Sequence, residues 1–134
     1  MRFVWKHLPL AIHKDAPAAH LASVAAQKQG KFWEFHDKLF ANQRAIKMDN
    51  LKQYAQELGL DMARFDKDML DAKNKKLVDT DMAEAAAMGL TGTPGFFVNG
   101  RYLRGAKPFA DFAKLINAEL TRLKIPVPAE AQAL

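Results

Sequence analysis

Few side chains in this sequence could carry covalent chemistry, and their spacing narrows the choice further. The hydroxyls are Ser23, Thr80, Thr91, Thr93, Thr121, Tyr54 and Tyr102, and none lies in a local nucleophile motif or suggests a Ser-His-Asp arrangement. Cysteine is absent, which excludes disulfides, thiolate metal sites and any thiol nucleophile from this chain. The histidines at 7, 13, 20 and 36 show no HExxH or other ligand spacing, so packing or surface roles are expected rather than a metal site. No cofactor is expected, and no catalytic residue is assigned. What remains is a backbone feature. Thr93-Pro94 lies between Gly92 and Gly95, so a residue with fixed φ and no N–H is flanked by unusually free chain. On composition alone an ordinary trans turn is expected there, since X-Pro bonds are cis in only about 5–6% of folded cases.

The elements that position this loop are legible from periodicity. Phe96 to Val98, then Asn99-Gly100, then Arg101 to Leu103 read as a tight β-hairpin, because Asn-Gly best supplies the two positive φ angles of a type I′ turn. Before the loop, Asn74 to Met88 reads as a helix with Val78, Met82, Ala85 and Ala86 on one face and Gly89 as its C-terminal cap. After the hairpin, Phe109, Phe112, Ala113, Ile116, Leu120 and Leu123 form an amphipathic stripe ended by Ile125-Pro126-Val127-Pro128. At the other end, Phe3, Val4, Trp5 and Leu8 make a short apolar run stopped by Pro9, a strand signal over Arg2–Leu8. Between them lie short helices. One starts near Asp15 or Pro17 and runs to Gly30 with Leu21, Val24, Ala25 and Lys28 at helical spacing; one covers Lys31 to Asn42; one is capped by Asp49 or Asn50 and ended by Gly59; one is capped by Asp61 and carries Met62, Phe65 and Met69. Phe32, Phe35, His36 and Leu39 share a face with Trp33 and Phe40 alongside. So wide an apolar stripe reads as core; the functional alternative is that one or two of these aromatics line a groove for an extended substrate.

The run Gly92-Thr93-Pro94-Gly95-Phe96-Phe97-Val98-Asn99-Gly100, preceded by one helix and followed by a last one, resembles the cis-proline loop and closing hairpin of DsbA-like proteins in the thioredoxin fold. Lys31-Phe32-Trp33-Glu34-Phe35-His36-Asp37-Lys38-Leu39-Phe40 resembles the helical insertion of bacterial DsbA-like oxidoreductases, and Arg2 to Leu10 the strand that leads into it. The resemblance covers roughly nine-tenths of the chain, and the two motifs together are far more specific than either alone. It implies an α/β fold, an incomplete DsbA-like thioredoxin domain over 1–125 with a helical insertion at about 15–88 and a flexible tail at 126–134. It also implies cis geometry at Pro94 and a substrate-binding role for Gly92, Thr93 and Pro94. The backbone before the proline pairs in β-fashion with a polypeptide, while a thiolate at a helix N-terminus attacks its disulfide. In that family the Cys-x-x-Cys strand and helix come before the segment matched by Arg2. No residue of this chain matches them.

Deleting the strand before the dithiol helix would leave two sheet fragments with a gap of about 4.8 Å on either side of it. The chain is then expected to be a portion of a longer oxidoreductase, to pair Arg2–Leu8 directly with the hairpin, or to dimerise across exposed edges. The leading expectation for function is a DsbA-family thiol–disulfide oxidoreductase or isomerase domain, inactive alone, acting on unfolded or disulfide-containing polypeptides. A redox-inert peptide-binding module is the second, and kinship with kappa-type glutathione transferases and isomerases the third. A net charge of +5, with lysines scattered among acidic residues, argues against a nucleic-acid partner. No apolar run approaches the roughly 20 residues that span a bilayer, and Met1 to Trp5 does not resemble a signal peptide. A periplasmic or otherwise extracytoplasmic location is expected from the resemblance alone.

Overall fold

The computed structural model describes residues 1–128, in two compact units that divide between Gly89 and Leu90. The first unit is helical: α1 (Ala16–Gln27), α2 (Phe32–Ala41), α3 (Met48–Glu57), α4 (Met62–Leu70) and α5 (Ala72–Ala87). The second holds an antiparallel hairpin, β1 (Gly95–Val98) and β2 (Arg101–Arg104), followed by α6 (Phe109–Arg122). The fold class is thus mixed α/β.

Helix α1 is the centre of the first unit and packs on α2, α3, α4 and α5. Its composition explains this. Ala22, Ala25 and Ala26 are fully buried, and their small side chains let neighbouring backbones approach. Pro17 lies in the first turn, where its missing N–H would have had no intrahelical acceptor. Around α1 the core is filled by Phe35, Leu51, Phe65 and Val24, the largest fully buried side chains, with the Phe35 and Phe65 rings 6.1 Å apart. Each of these stabilises the unit by about 1.5–3 kcal/mol through removal of apolar surface from water. Tyr54 brings its ring into the same cluster and donates its hydroxyl to the Ala45 carbonyl at 2.8 Å, so its polar end is satisfied.

The helix ends follow local chemistry with two differences. Asp61 caps α4 by accepting from the Arg64 N–H at 3.0 Å, and Asp71 caps α5 by accepting from Lys73 N–H at 2.8 Å. Helix α5 therefore starts at Ala72, two residues before Asn74. Helix α3 starts before its expected caps: Asp49 and Asn50 are inside the first turn, and Lys47 occupies the N-cap position without a side-chain bond. There Asp49 acts as a first-turn anion facing the helix dipole instead.

The strand expected at Arg2–Leu8 is not formed; the segment is irregular, and the hairpin is the sheet of the described residues. A strand gains its hydrogen bonds from a neighbour, and no ladder partner lies along this segment. It is tied down by side chains. The His7 N–H donates to Asp81 at 2.9 Å, Lys6 bridges Asp81 and Glu84 at 2.9 Å each, and the Trp5 ring packs against α2. Helix α5 buries a face different from the one its apolar spacing predicts. Its buried residues are Asn74, Val78, Asp81 and Ala85, so Asp81 takes the place on the inner face expected for Met82, and Ala86 is exposed.

In the second unit, Asn99 (φ 47°) and Gly100 (φ 83°) make the turn, and Phe96 pairs with Leu103 and Phe97 with Tyr102. Phe96 meets Phe112 of α6 edge-on at 4.8 Å. Of the α6 stripe, Ala113 is buried and Phe112, Ile116 and Leu120 are half-buried, whereas Phe109 and Leu123 at its ends are exposed. The helix stops before Pro126: Lys124 adopts φ 57°, its N–H bonds Thr121 O, and Ile125 N–H bonds Leu120 O. That pair of bonds is a Schellman motif, closed by lysine in the place glycine usually takes. The tail expected at 126–134 lies outside the described residues from 129 onward.

Candidate functional site

The proline loop is built by its two neighbours in sequence. Gly89, at φ 73°, ends α5, and β1 begins at Gly95, so residues 90–94 form a short irregular link. The Thr93–Pro94 peptide bond is cis. The Pro94 carbonyl accepts from Gly105 N–H at 2.9 Å, which fixes the loop to the end of β2. Gly95 is closely packed: a Cβ there would come within 2.9 Å of Leu90 Cδ2 and 3.3 Å of Tyr102 Cε2, so the ends of those side chains would have to shift. Gly92 has open space at its Cβ position and a half-buried backbone.

Thr93 and Pro94 are both exposed. Among the described residues, neither the N–H nor the C=O of Thr93 has a backbone partner. An exposed donor and acceptor, next to a residue that has no N–H, can pair with an added extended chain. Gly92, Thr93 and Pro94 are therefore contiguous at one accessible loop.

A second assembly occupies the first unit. Trp5 meets His36 at 4.8 Å, Trp33 at 6.4 Å, Phe32 at 6.1 Å and Phe40 at 6.3 Å between ring centroids. Phe3 lies 5.6 Å from Trp33. The face of α2 read as core thus divides: Phe35 is buried in the interior, while Trp33 and Phe40 remain 46% and 55% exposed. An open cleft of about 380 Å³ runs here, lined by Phe3, Trp5, Phe32 and Trp33 with Arg2 and Gln27 at its polar side.

Beneath this cleft the structure joins residues that no motif had connected. His7 Nδ1 and His20 Nδ1 are 2.9 Å apart, one donating and the other accepting. Burial pushes His20 down to about 4, helped by the neighbouring His7, and burial likewise lowers His7. Both rings are therefore neutral near pH 7. Ser23 donates to the His20 carbonyl at 2.7 Å. The two histidines are 13 positions apart on different segments, and only the packing of residues 1–9 on α1 brings them together. The His36 Nδ1–H donates to the Asp37 carboxylate at 2.9 Å, and His13 is exposed.

Among the described residues no group of three or more histidines and carboxylates is placed to hold a metal ion. The hydroxyls are equally scattered. Tyr54 serves the core, and Thr80 and Thr121 donate back to the carbonyls of Lys76 and Asn117.

A family profile described as a DSBA-like thioredoxin domain matches residues 1–117. Similar proteins include a Na(+)/H(+) antiporter NhaA 3 of Salinispora tropica, 42% identical over 106 residues that make up 78% of this chain and 16% of that protein. Another is a Na(+)/H(+) antiporter NhaA of Herminiimonas arsenicoxydans, 44% identical over 79% of this chain and 17% of its own length. A Na(+)/H(+) antiporter NhaA 1 of Mycolicibacterium gilvum is 41% identical over 119 residues, 87% of this chain and 19% of that protein. The chain spans less than a fifth of the length of these curated relatives.

Proposed function

The chain belongs to the DSBA-like thioredoxin domain family, and from that membership we propose that it supplies the polypeptide-holding half of protein disulfide chemistry. It binds an extended chain at Gly92-Thr93-Pro94 and carries out no thiol exchange with its own residues, since it has no cysteine. The observation that carries this reading is the exposed Thr93 beside Pro94, with both backbone groups unengaged among the described residues. Recognition there rests on main-chain hydrogen bonds, which suits substrates of many sequences. Unfolded or disulfide-containing polypeptides, in an extracytoplasmic compartment, are the partners this reading assigns.

The antiporter names belong to much longer proteins. This chain matches less than a fifth of their length, so their transport activity is not carried over to it; among the described residues no helix is long and apolar enough to cross a membrane. The same reading takes the chain to self-associate through unpaired sheet edges and exposed aromatics.

The test is an NMR titration of the full chain with an unfolded polypeptide whose thiols are blocked by carboxymethylation. Shifts concentrated at Gly92, Thr93 and Gly95, unchanged by reductant and abolished when the peptide backbone is N-methylated, are expected. Shifts elsewhere, with the loop unmoved, would overturn the assignment.

A further inference from the structure

We propose that His7 and His20 form an acid-sensitive latch that docks the Met1–Leu8 segment onto the helical unit at neutral pH and loosens it as the pH falls. This lies outside the peptide-loop reading and concerns the first unit alone. The geometry carries it. The segment has no β-ladder, so its attachment depends on a few side-chain contacts: the Nδ1 to Nδ1 hydrogen bond at 2.9 Å, the His7 N–H to Asp81, the Lys6 ion pairs, and the packing of Trp5 on α2.

The hydrogen bond between the rings exists only while one Nδ1 is bare. A first proton taken on Nε2 of the donor ring preserves the bond but places a charge in a desolvated position. A second removes the acceptor and leaves two N–H groups opposed at 2.9 Å. The charged neighbours do not offset this. From α5, Asp81 attracts a proton, but its Oδ1 receives Lys6 and its Oδ2 receives the His7 N–H. Glu84, also on α5, is half exposed and engaged by Lys6. Lys6 itself repels a proton on His7, and Arg2 adds a second cation along the cleft that His7 lines. On α1 the Ser23 hydroxyl is engaged by the His20 carbonyl, and from α2 the uncharged Phe32 ring faces His7, while His36 of the same helix faces Trp5 rather than the histidine pair.

The sign follows. Both histidines titrate lower when docked than when released, where about 6.5 is ordinary, so the released segment binds more protons. Docking is then fully favoured above about pH 6.5 and weakens as the pH falls toward about 4, the value for docked His20. Release would expose Trp5, Phe32 and Trp33, an aromatic surface that the docked segment shares.

Hydrogen exchange of the full chain tests this, with rates corrected for the intrinsic pH dependence. Protection of the His7 amide should fall by roughly a hundredfold between pH 7 and pH 4.5. The Leu60 amide, bonded to Ala55 in the core, should keep its protection. The double variant His7→Asn, His20→Asn, which retains a hydrogen-bonding group near each Nδ1, should show a pH-independent His7-position amide. Flat protection in the natural chain, a parallel loss at Leu60, or an unchanged pH response in the variant would each overturn the latch. Should the variant fail to fold, ring titration of the natural chain decides: values below about 6 support it, and ordinary values near 6.5 overturn it.

Discussion

Gly100 is the residue on which the hairpin geometry rests. At φ 83° it follows Asn99 at φ 47°, and asparagine tolerates this left-handed region where most residues do not. No atom lies within 4 Å of a Cβ built on Gly100, so an alanine there meets no clash and its cost is purely one of backbone conformation. Gly100→Ala should destabilise the second unit by about 1–2 kcal/mol, read as a loss of amide protection at Phe96 and Leu103 with the helical unit unaffected. Equal protection in the variant would show that another turn substitutes at no cost. Gly95 differs in kind, because there Leu90 and Tyr102 occupy the space. A side chain is thus disfavoured at these two glycines for different physical reasons, one conformational and one steric.

At the scale of elements, the hairpin and α6 are joined by a buried carboxylate. Glu119 accepts from Arg122 at 2.8 and 3.0 Å, and it also reaches Arg101 at 3.4 Å and Asn99 at 3.5 Å. The Arg122 guanidinium, with smaller help from Asn99 and Arg101, holds the Glu119 carboxyl below its usual range. A depressed carboxylate stabilises the folded state above the ordinary value of 4.5, and that contribution is lost as the pH falls through the lower folded-state value. Hairpin amide protection should therefore drop in acid, and Glu119→Gln should remove most of that pH dependence. An acid response unchanged in the variant would assign it to other carboxylates. In the helical unit the corresponding polar tie is Lys28, at the C-cap of α1, whose ammonium reaches Asp68 at 3.1 Å and Asp71 at 3.4 Å and so links the end of α1 to the junction of α4 and α5. Its Asp68 end is buried while the ammonium is partly solvated, so the tie is only partly screened.

For the molecule as a whole, exposed apolar surface is the feature with consequences. Phe3, Val4, Trp33 and Phe40 are each at least 46% exposed in the first unit, and in the second each strand of the hairpin has one strand neighbour among the described residues. Large apolar patches and open edges favour association. Multi-angle light scattering should show a dimer at high concentration that dissociates on dilution; a monomer throughout would count against it. Insulin reduction measured on the same preparation should show no activity above background, because no thiolate is available to attack a disulfide.

Much of the architecture was legible in the residues, and for local reasons. Asn99-Gly100 specifies its own turn, Asp61 its own cap, and the spacing of Phe35, Leu51, Tyr54, Phe65 and Val78 the inner faces of four helices; each depends on neighbours within one or two turns of chain. The loop at Gly92-Thr93-Pro94 was legible as a motif, while its exposure was not, since exposure is a property of packed surfaces. Arg2–Leu8 reads as a strand because its side chains suit one, yet a ladder requires a partner that local pattern does not supply. The meeting of His7, His20 and Asp81 lay furthest from reach. Those residues belong to a loop, α1 and α5, and only folding of the helical unit places them together, where burial disfavours the charged form of the two histidines.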